Sequence, residues 1–476
     1  MKINGLPRKI AALIILQIFI LSCTIFYQEP TQTPTFLPSE TPIKFTATPV
    51  QKIHYVDNLL GLDTNPGTKD LPWKTIQKAA NSVLPGHTVN VMAGNYPEHV
   101  TIKKSGAEGA QIIFQTYGHV IMQGFTIRAD YVTITGFEIT DTPDHPINGW
   151  GILVDGSHCL INLNYINYAR RGGILLFVDE EKYDENGSCI VRNNRLYRNT
   201  YVGIDVRGRN HLVEYNEVWG SIQHHPNVAE NPSWADADGI HFHGTGHIIR
   251  GNYIHDITFS DPENINPHID CFQTFFSPPY QEAASNVVLE ANYCDNAQAQ
   301  SPYEVGKGFM LQEASDLIIQ NNLVKSFVGI KSDRDTRNLT ILNNTFISDL
   351  SLPTYFSPAG IDLTNAPDCI IKNNIFFDQP GQIIIQSNSI NLDAGKNLAS
   401  RSDGKMPLTS GTYSHANDFW GIDPFFVSQY DYHLSPDSPA IDAGDPVPVN
   451  EDFDGYPRPQ GQGWDIGAYE WIPNDN

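Results

Sequence analysis

A short phrase recurs down this chain between about residues 130 and 375, and it restricts the fold more than any other feature. It reads CLINLNYI (159–166), CIVRNNRL (189–196), HLVEYNEV (211–218), HIIRGNYI (247–254), VVLEANYC (287–294), LIIQNNLV (317–324), LTILNNTF (339–346) and CIIKNNIF (369–376). The recurrent Asn falls at 164, 194, 216, 252, 292, 322, 344 and 374, in steps of 30, 22, 36, 40, 30, 22 and 30. An earlier copy, YVTITGFEI (131–139), has Gly where the Asn belongs. Short β-branched strands repeating at this period mark a solenoid whose units cannot bury a core singly. The expected class is all-β, a right-handed parallel β-helix whose coils stack at about 4.8 Å. An inward Asn at each corner would bond the coils above and below, satisfying turn backbone that water cannot reach.

The cysteines fit this picture. After Cys23 there remain Cys159, Cys189, Cys271, Cys294 and Cys369. An odd count without close spacing reads neither as a disulfide scaffold nor as a zinc motif. Cys159, Cys189 and Cys369 stand five residues before the Asn, where other copies have His211, His247, Val287, Leu317 and Leu339. That column predicts an inward stack of core-filling thiols. A Cys159–Cys189 disulfide is the alternative.

Of the residues, 40% are hydrophobic, enough for a long core, and 17% are charged. Lys and Arg number 30 against 53 Asp and Glu, a net charge of −23, which argues against a nucleic-acid partner. A polyanionic ligand would need a local basic cleft or a bridging cation. At the N-terminus, MKINGLPRKI carries positive charge and AALIILQIFI is an apolar run too short for an ordinary spanning helix. The following ILSC resembles a bacterial lipoprotein signal, which implies lipidation at Cys23. Residues 24–51 are Pro/Thr-rich and read as an extended tether. The expectation is an extracytoplasmic protein, a monomer, attached to membrane through the lipid alone.

Within 54–102, NPGT, PWKTIQKAA, PGHTVNV and AGNYPEHVTI resemble the N-terminal cap of pectate lyase-like β-helix proteins. A short helix there would cover the open end of the core. YHLSPDSPAIDAGDP and EDFDGYPRPQGQGWDIGAYEW (within 432–471) resemble the closing segment of secreted proteins of that kind. The division expected is signal 1–23, tether 24–51, cap and first coils 52–130, β-helix 131–395 and closing segment 396–476. The resemblance implies carbohydrate chemistry, as in lyases and glycosidases.

Each coil also carries a strand opening with Gly-apolar: GILV (151), GILL (173), GIDVR (203), GIHFH (239), HIDCFQ (268), GFMLQ (308), GIKSD (329) and GIDL (360). Alternation turns the third and fifth positions outward. The third position collects Asp205, His241, Asp270 and Lys331, and the fifth collects Arg207, His243, Phe272, Gln312 and Asp333, with Gln273 adjacent. Acid, base and imidazole thus mix over five coils, a stack about 19 Å long. Insertions at 219–236, 256–268 and 274–285 would wall a cleft with Trp219, Trp234, Phe275, Phe276 and Tyr280, faces on which sugar rings stack.

Asp205, Arg207, His241, His243, Asp270, Lys331 and Asp333 are the catalytic candidates, and Trp219, Trp234, Phe272, Gln273 and Gln312 the substrate-binding ones. Asp236 and Asp238 are metal candidates: oxygen-rich turns suit calcium, and His241 with His243 would suit a transition metal; the sequence supplies no firm third ligand for either, Asp270 being the candidate. Asp442, Asp445, Asp452 and Asp454 read as Asp-Gly turns, with calcium the alternative. Three functions stay open. A polyuronate lyase would use Arg207 or calcium to neutralise the substrate carboxylate and His241 or Lys331 as base. An inverting glycosidase would pair Asp205 with Asp270, or Asp270 with Asp333, two coils or about 9.6 Å apart. A non-catalytic glycan-binding or structural surface protein would use the same groove without turnover.

Overall fold

The computed structural model describes residues 52–178, 187–226, 236–265, 267–276, 282–296, 304–352, 358–410 and 413–473. Cys23 and Trp234 lie outside them, as do the signal and tether. Parallel pairing starts at Lys52–Val56 on His87–Ile102, which pairs in turn with Ile112–Ile127. Each later coil contributes three short strands. Leu160–Asn162, Tyr165–Asn167 and Gly172–Leu176, for example, pair with Ile190–Arg192, Arg195–Tyr197 and Val202–Val206 of the next. The result is a parallel β-helix with its core inside the coil. Coiling continues past the expected limit at 395, ending with Phe419–Trp420 on Leu398–Ser400.

The corner explains the Asn-Asn phrase. The residue before each ladder Asn has positive φ (Leu163 56°, Asn193 55°, Asn321 53°), a conformation Asn tolerates better than most residues. The ladder Asn itself is buried. Asn252 donates from both its backbone N–H and Nδ2 to Asn292 Oδ1, each at 3.0 Å, and from Nδ2 to Val213 O at 3.0 Å. The ladder runs on through Asn397 and ends at Asp418 Oδ1. In the earliest copy the column shifts by one from expectation. Thr135 and Glu138 face Asn162 and Tyr165, so Phe137 holds the Asn place and Gly136, with φ 88°, the turn place.

Cys159, Cys189 and Cys369 are buried and unbridged, as core filling requires. A disulfide exists where the spacing did not suggest one, between Cys271 and Cys294. The glycine opening each third strand explains it. A Cβ on Gly239 would sit 2.7 Å from Ile254 Cγ2, because backbone there approaches the opposite wall of the core. One coil on, Cys271 takes the glycine's place and Cys294 pairs with Ile254, so the two sulfurs meet across the core.

Helix Ile76–Ser82 closes the N-terminal end, burying Ile76, Ala79 and Ala80, and Thr75 caps it by accepting the Lys78 N–H at 3.1 Å. In the closing segment Asp452 Oδ1 accepts the N–H groups of Asp454 and Tyr456, which is turn chemistry, whereas Asp442 Oδ1 accepts that of Gly463, 21 residues on, and so ties two separate stretches together. Among the described residues no helix is long and apolar enough to cross a membrane.

Candidate functional site

The third strand of each coil builds one sheet, and its register sets which side chains face out together. Inward stand Ile174, Ile204, Ile240, Phe272, Phe309, Ile330 and Ile361. Outward, Leu175, Asp205, His241, Gln273, Met310, Lys331 and Asp362 share a column. This corrects the strand at 268–273. Ile269 imitates the Gly-apolar opening, but Cys271 holds the glycine place, so Phe272 is core, stacked on Phe309 at 4.9 Å rather than facing substrate. Gln273, not Asp270, stands beside His241, while Asp270 follows Asp238 and precedes Lys307. The staggered carboxylate pairs Asp205–Asp270 and Asp270–Asp333 therefore do not form as expected.

A cluster of buried charge results. Arg207 donates to Asp205 from Nε at 3.2 Å and from a terminal nitrogen at 2.5 Å. Burial opposes ionisation of Asp205, but the guanidinium outweighs it and holds the carboxyl below its usual range. His241 Nε2 donates to Asp238 Oδ2 at 2.8 Å, and the Asp270 N–H donates to Asp238 Oδ1 at 2.7 Å. Burial pushes the Asp238 carboxyl up to about 7. It opposes charge on His241 too, yet the hydrogen bond to Asp238 and the neighbouring carboxylates raise that imidazole. His243, driven by burial to about 3, is neutral; its Nδ1 donates to Phe275 O at 3.1 Å. Burial also raises Asp270, with Lys307 opposing at 3.5 Å from Nζ to Oδ1. His241 Nδ1, His243 Nε2, both Asp270 carboxylate oxygens and Gln273 Oε1 are buried without a hydrogen-bond partner. Unpartnered polar atoms gathered this closely, beside shifted carboxyls and imidazoles, make the cluster a candidate site.

Beside the cluster lies a cavity of about 550 Å³, whose wall includes Arg207 and Tyr201. Tyr201 presents its ring edge-on to His241, with centroids 5.0 Å apart, so the Asp238–His241 pair lies directly behind the cavity wall. Phe275 covers both histidines from the other side, with ring centroids at 5.6 and 4.8 Å. Other candidates fall elsewhere. Lys331 pairs with Asp362 at 2.8 Å, separated from His241 by Gln273 and Met310. Gln312 and Asp333 pair with each other in the His243 column, beyond Phe275. Trp219 is not on a cleft loop: it sits on the strand Glu217–Trp219 of a different sheet, stacked between Tyr197 and His255.

Asp236, Asp238 and His241 bring one ligand atom each within 4.8 Å of one another. His241 thus takes the place expected for Asp270, and His243 is not in the group. Two carboxylates and an imidazole are a donor set that suits a transition metal, while calcium, which takes about six to eight oxygens, would need several further ligands there.

Sequence reasoning passed over Lys307, Tyr201 and Glu304. Lys307 and Tyr201 each precede the Gly-apolar opening of their own strand, from which the strands were read, and Glu304, which accepts from Lys307 Nζ at 2.8 Å, lies three residues before Lys307. The signal available was the polar residue in the place just before that opening: Asp238, Asp270 and Lys307 succeed one another there.

Residues 183–399 match a family model described as a right handed beta helix region, and residues 59–104 match one described as a protein of unknown function (DUF1565). An uncharacterized protein of Bacillus subtilis (strain 168), YwoF, is 32% identical over 125 residues, a match covering 22% of this chain and 27% of that protein. The chain's match thus spans about a quarter of that relative's length. Among solved structures, XylC in complex with xylose is 13% identical with a TM-score of 0.57, covering 88% of this chain and 98% of its own. The pectate lyase Pel9A is 18% identical with a TM-score of 0.47, covering 88% and 96%. The lacto-N-biosidase of Eubacterium ramulus is 15% identical with a TM-score of 0.49, covering 77% and 67%. The fold is a right-handed parallel β-helix.

Proposed function

We propose that this chain is a carbohydrate-active enzyme, a polysaccharide lyase acting on a uronic-acid polymer outside the cytoplasm. One observation carries the reading: a cavity wall formed by Arg207 and Tyr201, with the Asp238–His241 pair immediately behind it. β-Elimination needs a cation against the substrate carboxylate, a base for the proton at C5 and an acid for the leaving oxygen. Arg207, fixed by Asp205, supplies the cation. With Nε2–H given to Asp238, His241 keeps its lone pair on the unpartnered Nδ1, which Asp238 makes more basic. Because His241 is buried behind Tyr201, it serves as the base only once the Tyr201 ring moves aside. Tyr201, whose phenol burial holds well above its usual range, stays protonated and can supply the acid. The xylose complex of XylC, the similar fold with the highest TM-score given above, supports a sugar as the ligand. Anchoring through Cys23 agrees with the Cys271–Cys294 disulfide, which suits an oxidising compartment. The chemistry requires no metal at Asp236, Asp238 and His241; a cation there would compete with the proton those groups share.

The test is incubation of the full chain with polygalacturonate and alginate, following the absorbance of the unsaturated product. The expected rise is lost in His241→Ala and Arg207→Ala. No rise on any polyuronate ends the lyase reading. A glycosidase is the second reading, favoured by the raised carboxyls of Asp238 and Asp270 on adjacent coils. Their spacing, about 4.8 Å between coils, lies nearer the separation of retaining enzymes than of inverting ones. Reducing ends without unsaturation would select it.

A further inference from the structure

The cavity beside Arg207 extends over coils whose outward residues looked bland in the sequence. Its floor is apolar: Trp150, Leu153 and Leu175 are buried in one cluster with Tyr201. Leu153 and Leu175 continue the column of Asp205 and His241, so the floor and the charged cluster share one sheet. Its walls are cationic. Among the described residues Arg128, Arg170, Arg171 and Arg207 line it against one carboxylate, Asp155, in a chain whose net charge is −23.

The place is built for these side chains. A Cβ on Gly172 would stand 2.2 Å from the Trp150 ring, and one on Gly149 would stand 2.4 Å from Arg171 Cγ, so both glycines vacate space the site uses. Among the described residues, the carboxylates that hold Arg170 and Arg171 stand on the outside. Arg170 meets Asp141, whose side chain is 69% exposed, at 3.0 Å, and Arg171 meets Asp144, 42% exposed, at 3.5 Å. Exposed pairs of this sort contribute little and exchange readily for a better anion. Each arginine also keeps a buried Nε–H with no acceptor. A planar fork with unused donors, above an apolar floor with an aromatic ring, matches a ligand with a carboxylate on one edge and a C–H face below.

We infer that this cavity is a subsite for an anionic sugar residue of the polymer, its ring on Trp150, Leu153 and Leu175 and its carboxylate taken by Arg170 and Arg171. The inference rests on the proposed action on a uronic-acid polymer. It adds a recognition site next to the reacting sugar, whose own carboxylate falls to Arg207. Polymer would lie along the axis of the coils, with the reacting unit at Tyr201 and the following unit over Leu175 and Leu153.

The test measures binding of α-1,4-linked trigalacturonate and of its methyl ester by calorimetry. It uses the full chain, with His241→Gln where the unsubstituted chain turns the ligand over. The acid should bind about tenfold or more tighter than the ester, and Arg170→Ala or Arg171→Ala should each remove about tenfold, the loss of one charge-assisted contact. Arg171→Lys should recover part of the affinity, and added salt should weaken the acid but not the ester. Unchanged melting temperatures distinguish lost recognition from lost folding. Equal binding of acid and ester, variants that bind like the unsubstituted chain, or no binding of either ligand overturns the subsite. Unsaturated product formed with an unchanged KM in both arginine variants removes the subsite and leaves the lyase reading. Binding lost in those variants while no unsaturated product ever forms keeps the subsite and removes the lyase reading.

Discussion

Asp238 and His241 sit three residues apart on one strand with 2.8 Å between Oδ2 and Nε2, and neither side chain reaches solvent. Burial raises the Asp238 carboxyl from an ordinary 3.8 to about 7, so the folded chain holds this proton more tightly than the unfolded one. The stabilisation is full below about pH 4 and is lost as the pH climbs through about 7. Asp238→Asn cannot titrate and escapes that loss. Denaturant unfolding of both proteins from pH 4 to 8 should show the variant gaining relative to the unsubstituted chain as pH rises. A difference independent of pH would mean the carboxyl titrates as in water.

The opposite sign applies to Asp205. Burial opposes its charge, but Arg207 outweighs burial and lowers its pKa, so its contribution is present at neutral pH and fades on acidification. Arg207→Ala strands a fully buried carboxylate and should cost about 3–5 kcal/mol at neutral pH, less in acid where Asp205 takes up a proton. Arg207→Ala with Asp205→Ala should be more stable than Arg207→Ala alone. Unfolding free energies of the two single variants and the double variant close the cycle and give the coupling directly.

These two pairs also show what the sequence could carry. Asp205, Arg207, His241 and His243 were legible because Gly203 and Gly239 fix the strand opening, and a period of two then sorts inside from outside. At Asp270 the marker is missing, since Cys271 replaces the glycine, and Ile269 supplied a false start three places out of register. Trp219 was misplaced because a short strand after the corner leaves no apolar alternation to read. The cavity over Leu153 and Leu175 was invisible for another reason: outward leucines look like filler until Trp150 and four arginines, from several coils, are seen around them.

The asparagine ladder should behave as a chain of dependent bonds rather than as separate ones. Asn292 Oδ1 accepts twice from Asn252, and its Nδ2 donates to Asn322 Oδ1 and to Ile249 O. Asn292→Ala leaves buried donors on Asn252 without an acceptor and should cost about 1–3 kcal/mol or more. Asn292→Asp keeps an acceptor towards Asn252 but loses the amide that donates to Ile249 O, and adds a buried charge. Thermal unfolding should therefore rank the native chain above both variants. A loss no larger than that of a surface Asn→Ala change would remove the ladder's structural role.

The disulfide offers a test in which the sequence itself supplies the control. Cys271 and Cys294 are 23 residues apart, and closing a loop of that size stabilises by about 3 kcal/mol through the unfolded chain. Reduction should therefore lower the unfolding midpoint clearly. Removing one sulfur is less simple, because Cys271 occupies a place that four preceding coils give to glycine (Gly151, Gly173, Gly203 and Gly239). There, added bulk meets the opposite wall unless it is bonded to it. Cys294, for its part, stands where the previous coil has Ile254. Cys271→Gly with Cys294→Ile rebuilds the packing of that previous coil and should recover part of the loss. Cys271→Leu with Cys294 retained forces a large side chain into the glycine place and should be the least stable of the set. If the Gly/Ile variant is instead no better than the Leu variant, the place of Cys271 in the glycine column is wrong, and with it the register that puts Asp270 next to Asp238 and Lys307.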